Sequence, residues 1–352
     1  MLNIYLFVFL FLACLSFAKN DNRATDYIVF FFSIFLVLFT GLRGEGIGFD
    51  YDNYVDNIFM TNDLQYMEPG VLILSSVLRP FGSVTLFFMM YAIIAVSIKT
   101  YIIRRHTFYP MLALLMYFSI YYLVQEMGQI RYGLSVAICT LALLFLANEE
   151  KKKFWVLVFV ASLFHFSALI VPPVYFIRRL KINVFMLVAF FILGSAFILY
   201  DFSEIMYRLF ELMPIEGVSY RAAYYMVTEE ENGAFGFNMS LFLRIIELVL
   251  FYLYLRNNTT DEYFNALFNF FLYGVVLYYV LNFNQEFASR GSGYFKFLEI
   301  VMIPYVISKI EKPQFVFVSI LSVVAYSFYS LSKIIYMPGV MEQYVPYHSI
   351  FF

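Results

Sequence analysis

The chain has 352 residues, of which 62% are hydrophobic and 14% charged, with 45 Phe, 31 Tyr and a formal net charge of −2; its mean hydropathy is +0.77. A soluble domain of this size cannot hide so much apolar surface, which excludes a water-soluble globular enzyme and makes lipid the solvent for most of the chain. The net charge names no partner, because in such a chain the distribution of charge between loops carries the information; no nucleic-acid partner is expected.

The apolar runs are continuous over roughly the length needed to cross ~30 Å of hydrocarbon at 1.5 Å per residue, where a β-barrel would show short alternating segments. The class is therefore all-α, a polytopic integral membrane protein with about 10 full spans. In chain order the spans are expected at 2–18, 27–42, 84–103, 108–124, Ile130–Ala147, 184–200, 238–255, 263–283, 294–307 and 315–336. The first lacks a basic flank and reads as a retained span, not a cleaved signal. Pro69–Leu78 is apolar but too short to cross, and suggests an interfacial or re-entrant helix. Cys14 and Cys139 lie in apolar runs and read as small core residues.

The stretch 154–177 is long enough to cross once, yet it carries His165 in its middle and Pro172-Pro173 near its end. Lys151, Lys152 and Lys153 precede it, and Arg178, Arg179 and Lys181 follow it. Basic residues collect on the cytoplasmic side. A hairpin that dips in and returns, split at His165, keeps both clusters inside, whereas a single crossing does not. With the N-terminus outside, Lys19, Arg23, Lys99, Arg104, Arg105, Arg256, Lys309 and Lys312 also fall inside. The chain then forms a single transmembrane domain, 1–352, with outer-face loops at 43–68 and 201–237. Arg43, Arg131, Arg221, Arg244 and Arg290 lie on the outer half.

The first of those loops is unusually charged, holding Arg43, Glu45, Asp50, Asp52, Asp56, Asp63 and Glu68. Arg43 stands beside Gly44, Gly46 and Gly48, a backbone suited to an anion. Arg131 opens the span Ile130–Ala147, where helix amides and dipole add to the guanidinium. Arg290, with Gly291 and Gly293, is read in the same way before a span at 294–307. Arg offers a planar fork of donors that stays charged, so these three are the expected phosphate ligands. The plainer alternative pairs Arg131 with Glu126 and Arg290 with Glu286. Asp50, Glu68 and His165 compete as the base toward a sugar hydroxyl. Tyr54, Arg221 and Tyr294 are the expected glycan contacts, alongside the packing and interfacial roles most aromatics have here. Asp50-Tyr51-Asp52 has the look of a metal-binding pair, but one such triplet among 25 acidic residues is expected by chance. His106 and His348 read as solvated surface.

The order Arg43…Gly48-x-Asp50-Tyr51-x-Asn53-Tyr54…Phe59, Glu68-x-Gly70, Ile130-Arg131, Ala161…Phe164-His165-x-Ser167-Ala168 and Arg290…Tyr294-Phe295 resembles the EpsG-like branch of Wzy-type polysaccharide polymerases. Two departures are Tyr132, where the family commonly has Gln, and the additional acid Glu45. The resemblance implies a GT-C-like membrane glycosyltransferase that needs no cofactor and no metal. It would polymerise repeat units on undecaprenyl diphosphate at the outer face of the bacterial cytoplasmic membrane, as capsule, O-antigen or exopolysaccharide. Its partners would be the lipid-linked oligosaccharide donor and acceptor, membrane lipids, a chain-length regulator and a flippase. The rival readings are a lipid-linked glycan ligase or acyltransferase, and a flippase or transporter of the same lipid.

Overall fold

The computed structural model describes residues 4–17, 23–56, 67–200, 202, 204, 205, 208 and 238–351. Asp63 and Arg221 therefore lie outside the described residues. The described elements, in chain order, are α1 (Ile4–Leu15), α2 (Arg23–Gly41), α3 (Tyr51–Val55), α4 (Pro69–Leu78), α5 (Val84–His106) and α6 (Pro110–Met116), which runs into a π-helix (Tyr117–Gly128). There follow α7 (Ile130–Ala147), α8 (Lys151–Phe164), a 3₁₀ turn (Phe166–Ile170), α9 (Val174–Ile177), α10 (Val184–Leu199), α11 (Met239–Asn257), α12 (Glu262–Val280), α13 (Gln285–Lys296), α14 (Glu299–Ser308) and α15 (Pro313–Tyr336). Among the described residues there is no strand, and one isolated bridge joins Arg43 to Ser349.

Among the described residues six helices are long and apolar enough to cross a membrane: Arg23–Gly41, Val84–His106, Pro110–Gly128, Ile130–Ala147, Glu262–Val280 and Pro313–Tyr336. Shorter apolar helices accompany them, among them Ile4–Leu15 and Glu299–Ser308. The protein is an all-α, multi-pass membrane protein. Lipid as solvent explains the outward rows of Phe7, Phe31, Phe185 and Leu193, each more than 60% exposed, since a bilayer imposes no penalty on such faces.

The chain divides into two compact units. The first comprises Met1–Leu64, Pro69–Ile138 and Glu299–Phe352; the second comprises Gln65–Glu68 and Cys139–Leu298. In the first unit α2 packs along α5, and α1 and α15 both lie against α6. The segment after α15 returns over the loop that follows α2. There Gly44 N–H donates to the His348 carbonyl (2.9 Å), Gly48 N–H to that of Gln343 (2.8 Å), and Ile350 N–H to that of Leu42 (3.0 Å). Tyr347 stacks on Phe39 with ring centroids 3.9 Å apart and donates its hydroxyl to the Phe39 carbonyl.

In the second unit side-chain caps set the helix starts. Asn183, Asn238, Asp261 and Asn284 each accept the amide three residues on, opening α10, α11, α12 and α13, as short polar side chains do at helix N-termini. The stretch 154–177 is a split hairpin. α8 stops at Phe164, His165 is extended (φ −157°, ψ 118°), and its ring accepts the Ser167 amide to start the 3₁₀ turn. The chain then comes back to where it began, with Tyr175 against Trp155 at 5.6 Å between centroids and Arg179 on Glu149 at 2.9 Å. Lys151 and Arg178 gather round the same Glu149, so both basic clusters stand at one end of the hairpin. Fourteen residues of α8 carry the chain about 21 Å from that end before His165 turns it back.

One expectation is corrected. The span expected at 294–307 is instead two helices, because α13 starts ten residues earlier at its Asn284 cap and the chain breaks at Phe297-Leu298 before α14. Arg290 accordingly sits inside α13 and not at a helix start. Lys99 of α5 is fully buried.

Candidate functional site

In the first unit Arg43 follows the last turn of α2 and is 2% exposed. Its guanidinium lies flat against Phe88, 3.8 Å from the ring centroid, and 5.9 Å from that of Tyr51. Nη1 donates to the carbonyl of Glu126 (3.1 Å) and, more loosely, to that of Thr40 (3.5 Å). Nε and Nη2 are buried with no partner. The groups that act on its charge are Tyr122, Tyr54, Tyr51 and Tyr344; burial pulls its pKa down to about 10, still cationic at neutral pH. A buried cation with no carboxylate is an unusual and costly arrangement.

Three more of the expected residues join it. Tyr54, 4% exposed, hydrogen-bonds to Arg131, whose guanidinium carbon is 5.5 Å from its ring centroid. Arg131 is the second residue of α7, at the helix start as expected. Asp50 precedes α3 and acts electrostatically on both Tyr54 and Tyr344. Burial raises the Tyr54 hydroxyl above its ordinary range, against the pull of Arg131. Gly48 makes this packing possible, since its φ of +101° is unsuited to other residues and a methyl there would fall 1.9 Å from the Met127 carbonyl oxygen.

Beneath Arg43 the π-helix holds a polar core that the sequence did not announce as a unit. The Glu126 carboxylate pairs with Lys99 of α5 and accepts from the Tyr117 hydroxyl (3.0 Å). Lys99 also donates to Gln125 (2.7 Å). Glu126 therefore serves Lys99, not Arg131, with its carboxylate, and Arg43 with its carbonyl. The signal that could have found Lys99 is its place sixteen residues into an apolar run, where a charge needs a partner.

In the second unit His165 Nδ1 is 2.6 Å from Ser167 Oγ, which is 2.8 Å from the Tyr294 hydroxyl. Tyr294 is on α13, one turn after Arg290, whose Nε is 2.7 Å from Glu286. The plainer reading of Arg290, pairing with Glu286, is therefore what the structure has. Tyr294 is 0% and Tyr54 4% exposed, so both rings are enclosed within their units. On the same helix Lys296 pairs with Glu247 (2.6 Å). Arg244 stacks on Tyr278 at 4.5 Å. Glu68, just before α4, is fully buried. His348 is exposed as expected but engaged, its Nε2 lying 3.1 Å from the Glu45 carbonyl. Among the described residues no three His, Cys, Asp or Glu side chains gather as a metal site would require.

These features define a class: a multi-pass helical membrane protein with ionisable groups buried inside its helical units, where such groups are costly and mark function. The model of the EpsG family matches residues 26–349. The chain belongs to the EpsG family, and with it to the polymerases of polysaccharide biosynthesis. No curated protein and no solved structure matches it.

Proposed function

We propose that the protein is a membrane glycosyltransferase that joins oligosaccharide repeat units carried on undecaprenyl diphosphate, working at the outer face of the bacterial cytoplasmic membrane without a metal. The observation that carries this is Arg43: a buried guanidinium with two idle N–H groups and no counter-charge among the groups that act on it. A diphosphate supplies the missing charge and accepts those donors.

In the reaction the bond from the anomeric carbon to the donor diphosphate breaks and its electron pair leaves with the diphosphate. The acceptor hydroxyl oxygen forms the new glycosidic bond and gives up its proton. Arg43, with Arg131 across Tyr54, meets the charge that grows on the leaving group, the kind of contribution worth about 3–4 kcal/mol per donor. Asp50, which acts electrostatically on Tyr54 and Tyr344, takes the proton in this reading. The His165–Ser167–Tyr294 chain of the second unit is assigned a proton-transfer role of its own. A flippase and a chain-length regulator are the protein partners that such chemistry calls for.

The test is reaction of purified protein with one defined lipid-linked repeat unit, followed by mass analysis. Arg43→Lys should fold normally and extend chains about a hundredfold more slowly. Unchanged chain extension by that variant would remove the diphosphate role. Polymer left on its lipid carrier after gene deletion, in place of single units, would favour the ligase.

A further inference from the structure

The segment after α15 delivers one side chain into the interior of the first unit. Tyr344 is 0% exposed, and its hydroxyl is buried with no hydrogen-bond partner. A buried hydroxyl left idle carries its desolvation cost with nothing in return, and native proteins keep few of them. The residue is not held there by that hydroxyl. Its backbone carbonyl accepts from the Tyr5 hydroxyl (2.8 Å), Phe49 packs edge-on to its ring at 5.8 Å, and neighbouring Gln343 accepts from Gly48. The hydroxyl instead abuts Gly128, where a methyl group would come within 3.0 Å of it. Gly128 is two residues from the carbonyl that holds Arg43, and the backbone of Arg43 bridges to Ser349 of the same segment. Arg43 and Tyr344 act on each other electrostatically.

Idle donors thus stand on two buried side chains that act on each other: Nε and Nη2 of Arg43, and the hydroxyl of Tyr344. We infer that Tyr344 is a substrate-binding residue, its hydroxyl donating to the same phosphate group that Arg43 holds. This rests on the diphosphate reading of Arg43 and adds to it a ligand from the far end of the sequence. It also accounts for the return of residues 337–351 over the Gly44–Gly48 loop, which sets the Tyr344 hydroxyl in place.

Tyr344→Phe keeps the ring and removes only the idle hydroxyl. Binding of farnesyl diphosphate and of inorganic pyrophosphate to purified protein should both weaken about tenfold, the loss of one hydrogen bond to a charged group. The melting temperature without ligand should hold or rise, because an unsatisfied group has been deleted. Tyr347→Phe, which removes the hydroxyl bonded to Phe39, should do the reverse, lowering the melting temperature with little change in binding. Wild-type affinity in Tyr344→Phe, or weakening for farnesyl diphosphate alone, overturns the inference. A fall in melting temperature overturns it too, since the hydroxyl would then have been serving the fold. If Arg43→Lys also binds both probes like wild type, the diphosphate reading falls first and this inference with it; weakened Arg43→Lys beside unaltered Tyr344→Phe removes the inference alone.

Discussion

Lys99 and Glu126, 27 residues apart in sequence, form an ion pair inside the first unit with 0% and 2% of their side chains exposed. Removing one partner strands the other charge, so Lys99→Met should cost about 3–5 kcal/mol. The double variant Lys99→Met/Glu126→Gln should regain most of that loss. Thermal unfolding of the four proteins in detergent measures the coupling, and additive losses would contradict it.

Gly48 and Gly46 both have positive φ, +101° and +73°, but only Gly48 has a carbonyl where a side chain would begin. Gly46→Ala should cost about 1 kcal/mol, from backbone conformation alone. Gly48→Ala also drives a methyl into Met127 and should unfold the loop over Arg43, abolishing chain extension. Equal stability of the two variants would show that the loop yields.

Glu149 is pulled below the ordinary carboxylate value by its hydrogen bond from Arg179, with Arg178 adding to it. Its folded pKa lies below its unfolded one, so its contribution is present above pH 4.5 and is lost as the pH falls through the lower folded value. With 41% of the side chain exposed, the effect is a few tenths of a kcal/mol and is screened by salt. Glu149→Gln should flatten this part of the acid limb of thermal stability, and an identical limb would refute the assignment.

Ser167 Oγ links His165 Nδ1 to the Tyr294 hydroxyl, at 2.6 and 2.8 Å. If the three move a proton as a unit, Ser167→Ala and Tyr294→Phe should each lower kcat about tenfold or more while KM holds. The double variant should be little worse than either, because members of one relay are not additive. A product of the two single effects would show that they act apart.

The architecture was legible where one physical rule acted alone. Lipid as solvent gave the helices, and the paired basic clusters gave the hairpin at His165, because basic residues collect on one side of the membrane. Arg131 was legible for a similar reason, since an apolar run beginning at Ile130 leaves it at the helix start. Arg290 misled because the apolar run was expected to start its helix at 294, whereas Gly291 and Gly293 are already buried inside α13, where small residues let helices approach. Within the site, Arg43, Asp50, Tyr54 and Arg131 were legible as residues. Their meeting with Lys99, Glu126 and Tyr344 was not, since it depends on pairing across the fold that no local pattern encodes.

The π-helix at Tyr117–Gly128 also alters how its own sequence must be aligned. Its coils are wider than those of an α-helix, with bonds such as Gln129 N–H to the Val124 carbonyl (2.7 Å), so side chains five apart meet, as Tyr117 and Tyr122 do edge-on at 5.9 Å. Deleting one residue from this stretch would let the winding tighten to the ordinary pitch and swing everything beyond the deletion by about 100° around the axis. Glu126 would then turn away from both cations at once, so relatives that differ by a single-residue gap here cannot share this charge arrangement.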